Sequence, residues 1–417
     1  MVKKAPESLM KKIVINGGRP LKGEISVSGS KNAALPIIFA TVVTGGVSRI
    51  HGLPDIGDVR VALDILRSFG AVVDREGELT VIDTRYLSYG EPDDSLVSGI
   101  RASTYLIGAC LSRFGFARIR PFGGCNFAGR PIDIHLDVCR SLGATVTEGV
   151  ITADRLRGGE VRLRLPSVGA TVNALLMAVS AAGDSVIYGA ACEPHVDALI
   201  EFLTSAGACI LRRLDGIYVS PTRLTGGCVR VERDMIEAGS YLAASLATDG
   251  CVRLADAPTE SLTATLELFS RIGAEVEYSG RTIAVKGRGE LIYASAVAAP
   301  YPAFPTDLLP VVSPLMSISG GRMTDTVWPT RFGYLSQLAA FGLLSSARDG
   351  SAEIFPSRLH SARVTAPDLR GGMACVIAAL MAEGESTVYD ADKILRGYER
   401  LEEKLTALGA EVKISEY

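Results

Sequence analysis

The sequence predicts an α/β protein of two domains, built from six αβαββ-type repeats, three to a domain. Three observations predict it. A phrase of the form Leu-x-x-x-Gly-Ala-x-Val, or a near variant, recurs with its glycines at Gly70, Gly143, Gly207, Gly273, Gly342 and Gly409. Their spacing of roughly 70 residues is kept from one end to the other, as in a repeat architecture. Finally, the 417-residue chain exceeds the roughly 250–300 residues beyond which a single core usually splits.

Each copy follows one order. A helix rich in small residues opens it, at 31–40, 101–111, 167–178, 237–246, 307–316 and 370–381. A glycine-bearing turn and a β-branched strand come next, as at 46–50 and 250–254, and then a second, amphipathic helix. The Gly-Ala phrase closes that helix, because glycine at a helix C-terminus takes the left-handed conformation without a Cβ clash. Alternating residues such as Ala71-Val72-Val73 and Ala274-Glu275-Val276 then start a hairpin.

Composition narrows the function. A net charge of −3 carries no polybasic signature for nucleic acid. Apolar residues make up 47%, but no uninterrupted run reaches the ~18 residues of a membrane span, so no membrane insertion is expected. The apolar stretches 174–182 and 373–381 are expected to be core helices. Residues 1–12 lack the apolar region of an export signal and are expected to form a flexible tail. Cys110, Cys139 and Cys375 lie in apolar helical stretches, and Cys209, Cys228 and Cys251 in or beside strands. They suggest small buried hydrophobes in a reducing cytoplasm. The four histidines His51, His135, His195 and His360 form no ligand set with metal spacing.

Three residues stand out as chemical candidates. Cys125 lies in a glycine-rich segment, 122–131, beside Arg130. A cation there favours thiolate, although the segment by itself fits an incidental surface cysteine better. Lys31 is the only lysine between Lys22 and Lys286. It is either a point charge for an anion or an exposed helix-start lysine. Asp307, approached through a proline- and aromatic-rich segment, is either a general base or a helix cap. The second helices begin near 55–58, 130–133, 193–194, 259–260, 330–331 and 396–399. Helix starts in a repeat should gather at one end, where their amides favour anions. Lys31, Arg101, Arg130, Arg331, Arg370 and Arg396 add full charges there, implying an anionic substrate.

The ordered motifs carry a family resemblance. Gly29-Ser30-Lys31-Asn32-Ala33-Ala34-Leu35-Pro36, Arg101-Ala102-Ser103, Gly123-Gly124-Cys125, Arg130-Pro131-Ile132-Asp133 and Ser167-Val168-Gly169-Ala170-Thr171 make up the first half. Phe304-Pro305-Thr306-Asp307, Asp368-Leu369-Arg370 and Arg396-Gly397-Tyr398-Glu399-Arg400 make up the second. From Ile13 to Ile414 the chain resembles the UDP-N-acetylglucosamine 1-carboxyvinyltransferase family, enolpyruvyl transferases of peptidoglycan precursor synthesis in the EPSP synthase superfamily. The shikimate branch of that superfamily lacks the Gly-Gly-Cys loop.

The resemblance implies two inverse α/β prisms of three units each. One comprises residues 1–30 and 233–417 and carries Asp307, Arg370 and Arg396; the other comprises 31–232 and carries Lys31 and Cys125. It implies phosphoenolpyruvate and UDP-N-acetylglucosamine as substrates, no metal or organic cofactor, and a cytoplasmic enzyme. Cys125 would donate the proton to the phosphoenolpyruvate methylene, and Asp307 would accept the sugar 3-hydroxyl proton. Lys31, Arg130 and Arg396 would hold phosphate, and Arg331 and Arg370 the carboxylate, with Asn32 and Asp368 close by. The nucleotide sugar would lie against Asn32, Arg101, Arg130, Pro131, Ile132, Asp133, Ile134, His135, Leu165, Ser167, Val168, Gly169, Asp307 and Val327. The chain departs from the family pattern at Met235, Leu308-Leu309-Pro310, Pro329-Thr330 and Leu395. Those departures bear on the acceptor, with another nucleotide such as UMP, or a non-catalytic nucleotide-sugar-binding role, as alternatives.

Overall fold

All six recurring glycines adopt a left-handed backbone, with φ between 86° and 104°, where an added Cβ is strained whatever the surrounding space. Each ends a helix and turns the chain into a strand or the loop before one. The computed structural model describes residues 10–123, 131–287 and 290–417. It divides into two compact units. One holds the chain through Val27 together with Met235–Ala299 and Ala303–Tyr417, and the other holds Ser28–Asp234 and Pro300–Pro302.

The first unit is built around three helices, Met235–Ala247, Leu309–Met316 and Leu369–Met381, which pack against one another. They are buried almost all round, so small residues dominate them and no polar face is needed. Three four-stranded sheets surround them. Each combines antiparallel pairing with one parallel pair, such as Cys251–Ala255 beside Lys22–Ser26 with Leu254 opposite Ile25. The strand Lys11–Gly17 lies between Gly384–Tyr389 and Glu411–Glu416, so both ends of the chain close the same sheet. This corrects the expected tail: residues 10–12 are ordered, and residues 1–9 lie outside the described residues.

The second unit repeats the plan. Helices Lys31–Thr44, Leu106–Phe114 and Val168–Ala178 form its centre, and the amphipathic helices Gly57–Ser68, Asp133–Ser141 and Pro194–Ser205 each bury one face. Among the described residues its sheets have four, four and three strands. The short strand Cys228–Arg230 pairs in parallel with Val47–His51, closing a long sequence separation.

The cysteines divide by position. Cys110, Cys139 and Cys375 are buried, and desolvation pushes each thiol up to about 12. Cys209, Cys228 and Cys251 were expected to be buried but are exposed. They point outward because side chains alternate across a strand whose other face covers the core. The stretches 174–182 and 373–381 do belong to central helices as far as Ala178 and Met381.

Candidate active site

In the first unit, two buried apolar anchors place Asp307. Phe304 and Leu308 are 5% and 0% exposed. Between them the chain leaves extended Pro305 and enters the short turn Thr306–Leu308, which leads into helix Leu309–Met316. Pro305, not Asp307, precedes that turn. The Asp307 carboxylate lies against two guanidiniums: Arg331 Nη2 donates to Oδ1 at 2.8 Å, and Arg370 Nε to Oδ2 at 3.2 Å. The arginine side chains are 4% and 3% exposed, the aspartate 28%. Such buried charges persist only when paired. The planar forks of arginine suit this work, since each addresses a carboxylate with several fixed donors.

Separate helix starts deliver the two arginines. Arg331 opens the turn Arg331–Tyr334. Arg370 is the second residue of helix Leu369–Met381, whose first amides are capped by Asp368: Oδ1 accepts from the N–H of Arg370 and of Gly371, both at 2.9 Å. The Arg370 guanidinium also sits over the Tyr398 ring, 5.6 Å from its centroid. Arg396 was expected at the start of a second helix. Instead it follows the short helix Asp392–Leu395, with Leu401–Ala407 beginning later.

In the second unit, Lys31 starts helix Lys31–Thr44 behind Ser30, whose hydroxyl accepts from the Ala33 N–H. Its ammonium is 3.3 Å from Asp58 Oδ2, with the two side chains 14% and 5% exposed. Its own N–H donates to Asp234 at 3.0 Å. Lys31 is therefore a partly buried, aligned charge, and Asn32 follows it half-buried. The neighbouring Glu232 carboxyl is pushed up to about 7, mainly by burial and further by Asp234, Asp197 and Glu201.

Asn173 draws together another set of these residues. Its side chain donates to Thr104 C=O at 3.0 Å, accepts from Gly108 N–H at 2.8 Å and meets His135 Nδ1 at 2.7 Å. This ties together three helical segments, at Thr104, Gly108 and His135. His135 is buried, and desolvation followed by the Arg101 charge lowers its pKa to about 4. Gly169 faces that ring closely: a Cβ there would lie 2.7 Å from His135 Cε1. Arg101, His135 and Gly169 thus converge. Asp133 pairs instead with Arg164, near exposed Leu165, while Ser167 caps helix Val168–Ala178. Pro131, Ile132 and Ile134 lead into and start helix Asp133–Ser141, with Ile132 and Ile134 packed on the core. Val327 donates its N–H to Asp325. Cys125 and Arg130 lie outside the described residues. Among the described residues, no group of His, Cys, Asp and Glu is placed to hold a metal ion.

Sequence reasoning missed Asp58, Asn173, Asp234 and Asp325. Each acts on a candidate residue through a contact that spacing along the chain does not reveal. The departures from the family pattern also gain a physical setting. Leu308 and Leu309 are fully buried, and Met235 and Leu395 pack on the core of the first unit, so these four positions serve packing.

Comparison with known proteins agrees with this architecture. The model of the family EPSP synthase (3-phosphoshikimate 1-carboxyvinyltransferase) matches residues 15–405. The chain is 38% identical to the UDP-N-acetylglucosamine 1-carboxyvinyltransferase of Chlorobium phaeovibrioides, covering 98% of this chain and 99% of that one. It is 40% identical to UDP-N-acetylglucosamine 1-carboxyvinyltransferase 3 of Symbiobacterium thermophilum, over 96% and 97% of the two chains. Among solved structures, the enolpyruvyl transferase NikO of Streptomyces tendae superposes with a TM-score of 0.88 at 25% identity, covering 98% of this chain and 100% of that one. EPSP synthase of Acinetobacter baumannii, 17% identical, shares the fold with a TM-score of 0.74 over 97% of this chain and 100% of that one. The chain belongs to the EPSP synthase family and, within it, to the UDP-N-acetylglucosamine 1-carboxyvinyltransferases.

Proposed function

We propose that the protein transfers the enolpyruvyl group of phosphoenolpyruvate to the 3-hydroxyl of UDP-N-acetylglucosamine and releases phosphate, the first committed step of peptidoglycan precursor synthesis. The observation that supports this reading is the Asp307 carboxylate held between the Arg331 and Arg370 guanidiniums, two cations whose donor geometry suits a carboxylate. The name shared by the full-length relatives supports it, and neither the UMP-type acceptor nor a silent binding role is favoured.

In the proposed chemistry the sugar oxygen attacks C2 of phosphoenolpyruvate as C3 gains a proton. Asp307 takes the hydroxyl proton and Cys125 supplies the one at C3. The tetrahedral ketal then returns a methyl proton to the Cys125 thiolate and expels phosphate, which takes up the proton held by Asp307, so the enol double bond and both side chains are restored. Lys31, Arg130 and Arg396 stabilise the phosphate as charge develops, and Arg331 and Arg370 hold the carboxylate. Fixed cations of this kind need little reorganisation during reaction. Arg101, His135 and Gly169 belong to the nucleotide-sugar side. A cytoplasmic location goes with this reading, because both substrates are made there.

Phosphate release from phosphoenolpyruvate is the direct test. It should require UDP-N-acetylglucosamine; release with UMP alone, or tight ligand binding with no release, would replace this reading with one of the alternatives.

A further inference from the structure

Strand Gly321–Asp325 ends on a carboxylate that is 1% exposed, and its two oxygens do different work. Oδ1 accepts the N–H of Val327 at 2.9 Å and of Trp328 at 2.8 Å, closing the turn after the strand. Oδ2 accepts the Thr306 hydroxyl at 2.5 Å. Thr306 Oγ1 in turn accepts from Arg331 Nη1 at 2.6 Å, and Arg331 Nη2 donates to Asp307.

The proton directions along this chain are forced. A carboxylate only accepts and a guanidinium only donates. The hydroxyl between them must therefore give its proton to Asp325 and turn a lone pair to Arg331. Hydrogen bonds with one charged partner are short and strong, and both links to Thr306 are of that kind. The arm that holds Asp307 is thus anchored to the end of a sheet strand by one hydroxyl.

We infer that Asp325, acting through the Thr306 hydroxyl, is a positioning residue that fixes Arg331 and thereby the orientation of the Asp307 carboxylate. The inference rests on Asp307 being the base. The alternative is that Asp325 serves only to close the turn at Val327 and Trp328. The two differ at Thr306, because turn closure uses Oδ1 alone.

The test compares Thr306→Val, which is nearly isosteric but lacks the hydroxyl, with Thr306→Ser, which keeps it; Thr306→Ala serves if the valine variant does not fold. Misplacement of a reacting group by about 1 Å can cost ~100-fold in rate. Thr306→Val is therefore expected to lower kcat roughly 10- to 100-fold, to raise KM for phosphoenolpyruvate, whose carboxylate Arg331 would hold, to leave KM for the nucleotide sugar nearly unchanged, and to lower the melting temperature by roughly a few degrees as buried Asp325 Oδ2 and Arg331 Nη1 lose a partner. The acid limb of its pH–rate profile should move to higher pH, as a carboxylate with a poorly aligned cation is less favoured. Thr306→Ser should keep most of the parent rate. A crystal structure of the valine variant should show the Arg331 guanidinium shifted away from Asp307. Parent-like kcat and pH profile in the valine variant, or an unmoved Arg331, would overturn the inference. If the parent releases no phosphate with the proposed substrates, the proposed function fails, and the Arg331 position in the valine variant still decides this one.

Discussion

Arg331 reaches Asp307 from 24 residues further along the chain, with Nη2 2.8 Å from Oδ1 and the guanidinium almost fully enclosed. The carboxylate is thus held in place before any substrate arrives. Asp307→Asn keeps its shape but removes its basicity. Loss of a general base typically costs 10²–10⁴-fold, so kcat should fall by roughly that factor while nucleotide-sugar affinity changes little. Fluorescence of Trp328, the single tryptophan of the chain, offers a binding readout. Affinity falling as steeply as kcat would remove Asp307 from the role of base.

Cys125 provides a covalent test of the same chemistry. Cys125→Ser is expected to abolish turnover and labelling by the epoxide fosfomycin, since a thiolate is a far better nucleophile than a hydroxyl. Mass spectrometry of the treated protein checks the labelling. A serine variant with the parent rate would take Cys125 out of the mechanism.

Gly169 and His135 are packed too closely for any side chain at residue 169. Gly169→Ala should force the ring or the helix start to move, and overpacking of this kind costs about 1–3 kcal/mol. Thermal melting should show that loss, and KM for the nucleotide sugar should rise. Because burial lowers the His135 pKa to about 4, the ring stays neutral across the neutral range, so the shape of the pH–rate profile should be unchanged by His135→Gln between about pH 6 and 8. An ionisation near 6.5 that disappears in that variant would contradict the burial argument.

Glu232 makes a prediction about stability with a definite sign. Its carboxyl is raised from 4.5 to about 7 in the folded protein, so the folded state holds a proton that the unfolded chain has released. Stability should fall as pH rises through that window and level off above it. Glu232→Gln removes the effect and should stabilise the protein at pH 8 by on the order of 2 kcal/mol, with almost no change near pH 4. Denaturant titrations at the two pH values give the comparison. Equal effects at both would show that the shift is not carried by this residue.

The repeat was legible in the sequence because each copy needs the same local solution. A left-handed residue must end the second helix, and glycine supplies it at all six positions. Small residues fill the central helices because three helices must approach closely. Burial on the strands was less legible. Cys209, Cys228 and Cys251 have the apolarity of core residues, and only the register of each strand determines which face they take. The tail expected at 1–12 likewise failed at Lys11, where the strand pairs with partners near the far end of the chain.

The α/β repeat, its left-handed turns and a set of charged helix starts are local features, legible in neighbouring residues. Which charges meet depends on packing between distant segments. Asp307 finds Arg370 across 63 residues of chain, and Thr306 finds Asp325 at the end of a different element. Asn173 joins three helical segments through one amide. The difference is one of range: backbone conformation is set within a few residues, whereas a buried charge takes its partner from whatever the packed helices and strands bring within about 3 Å, the reach of a hydrogen bond.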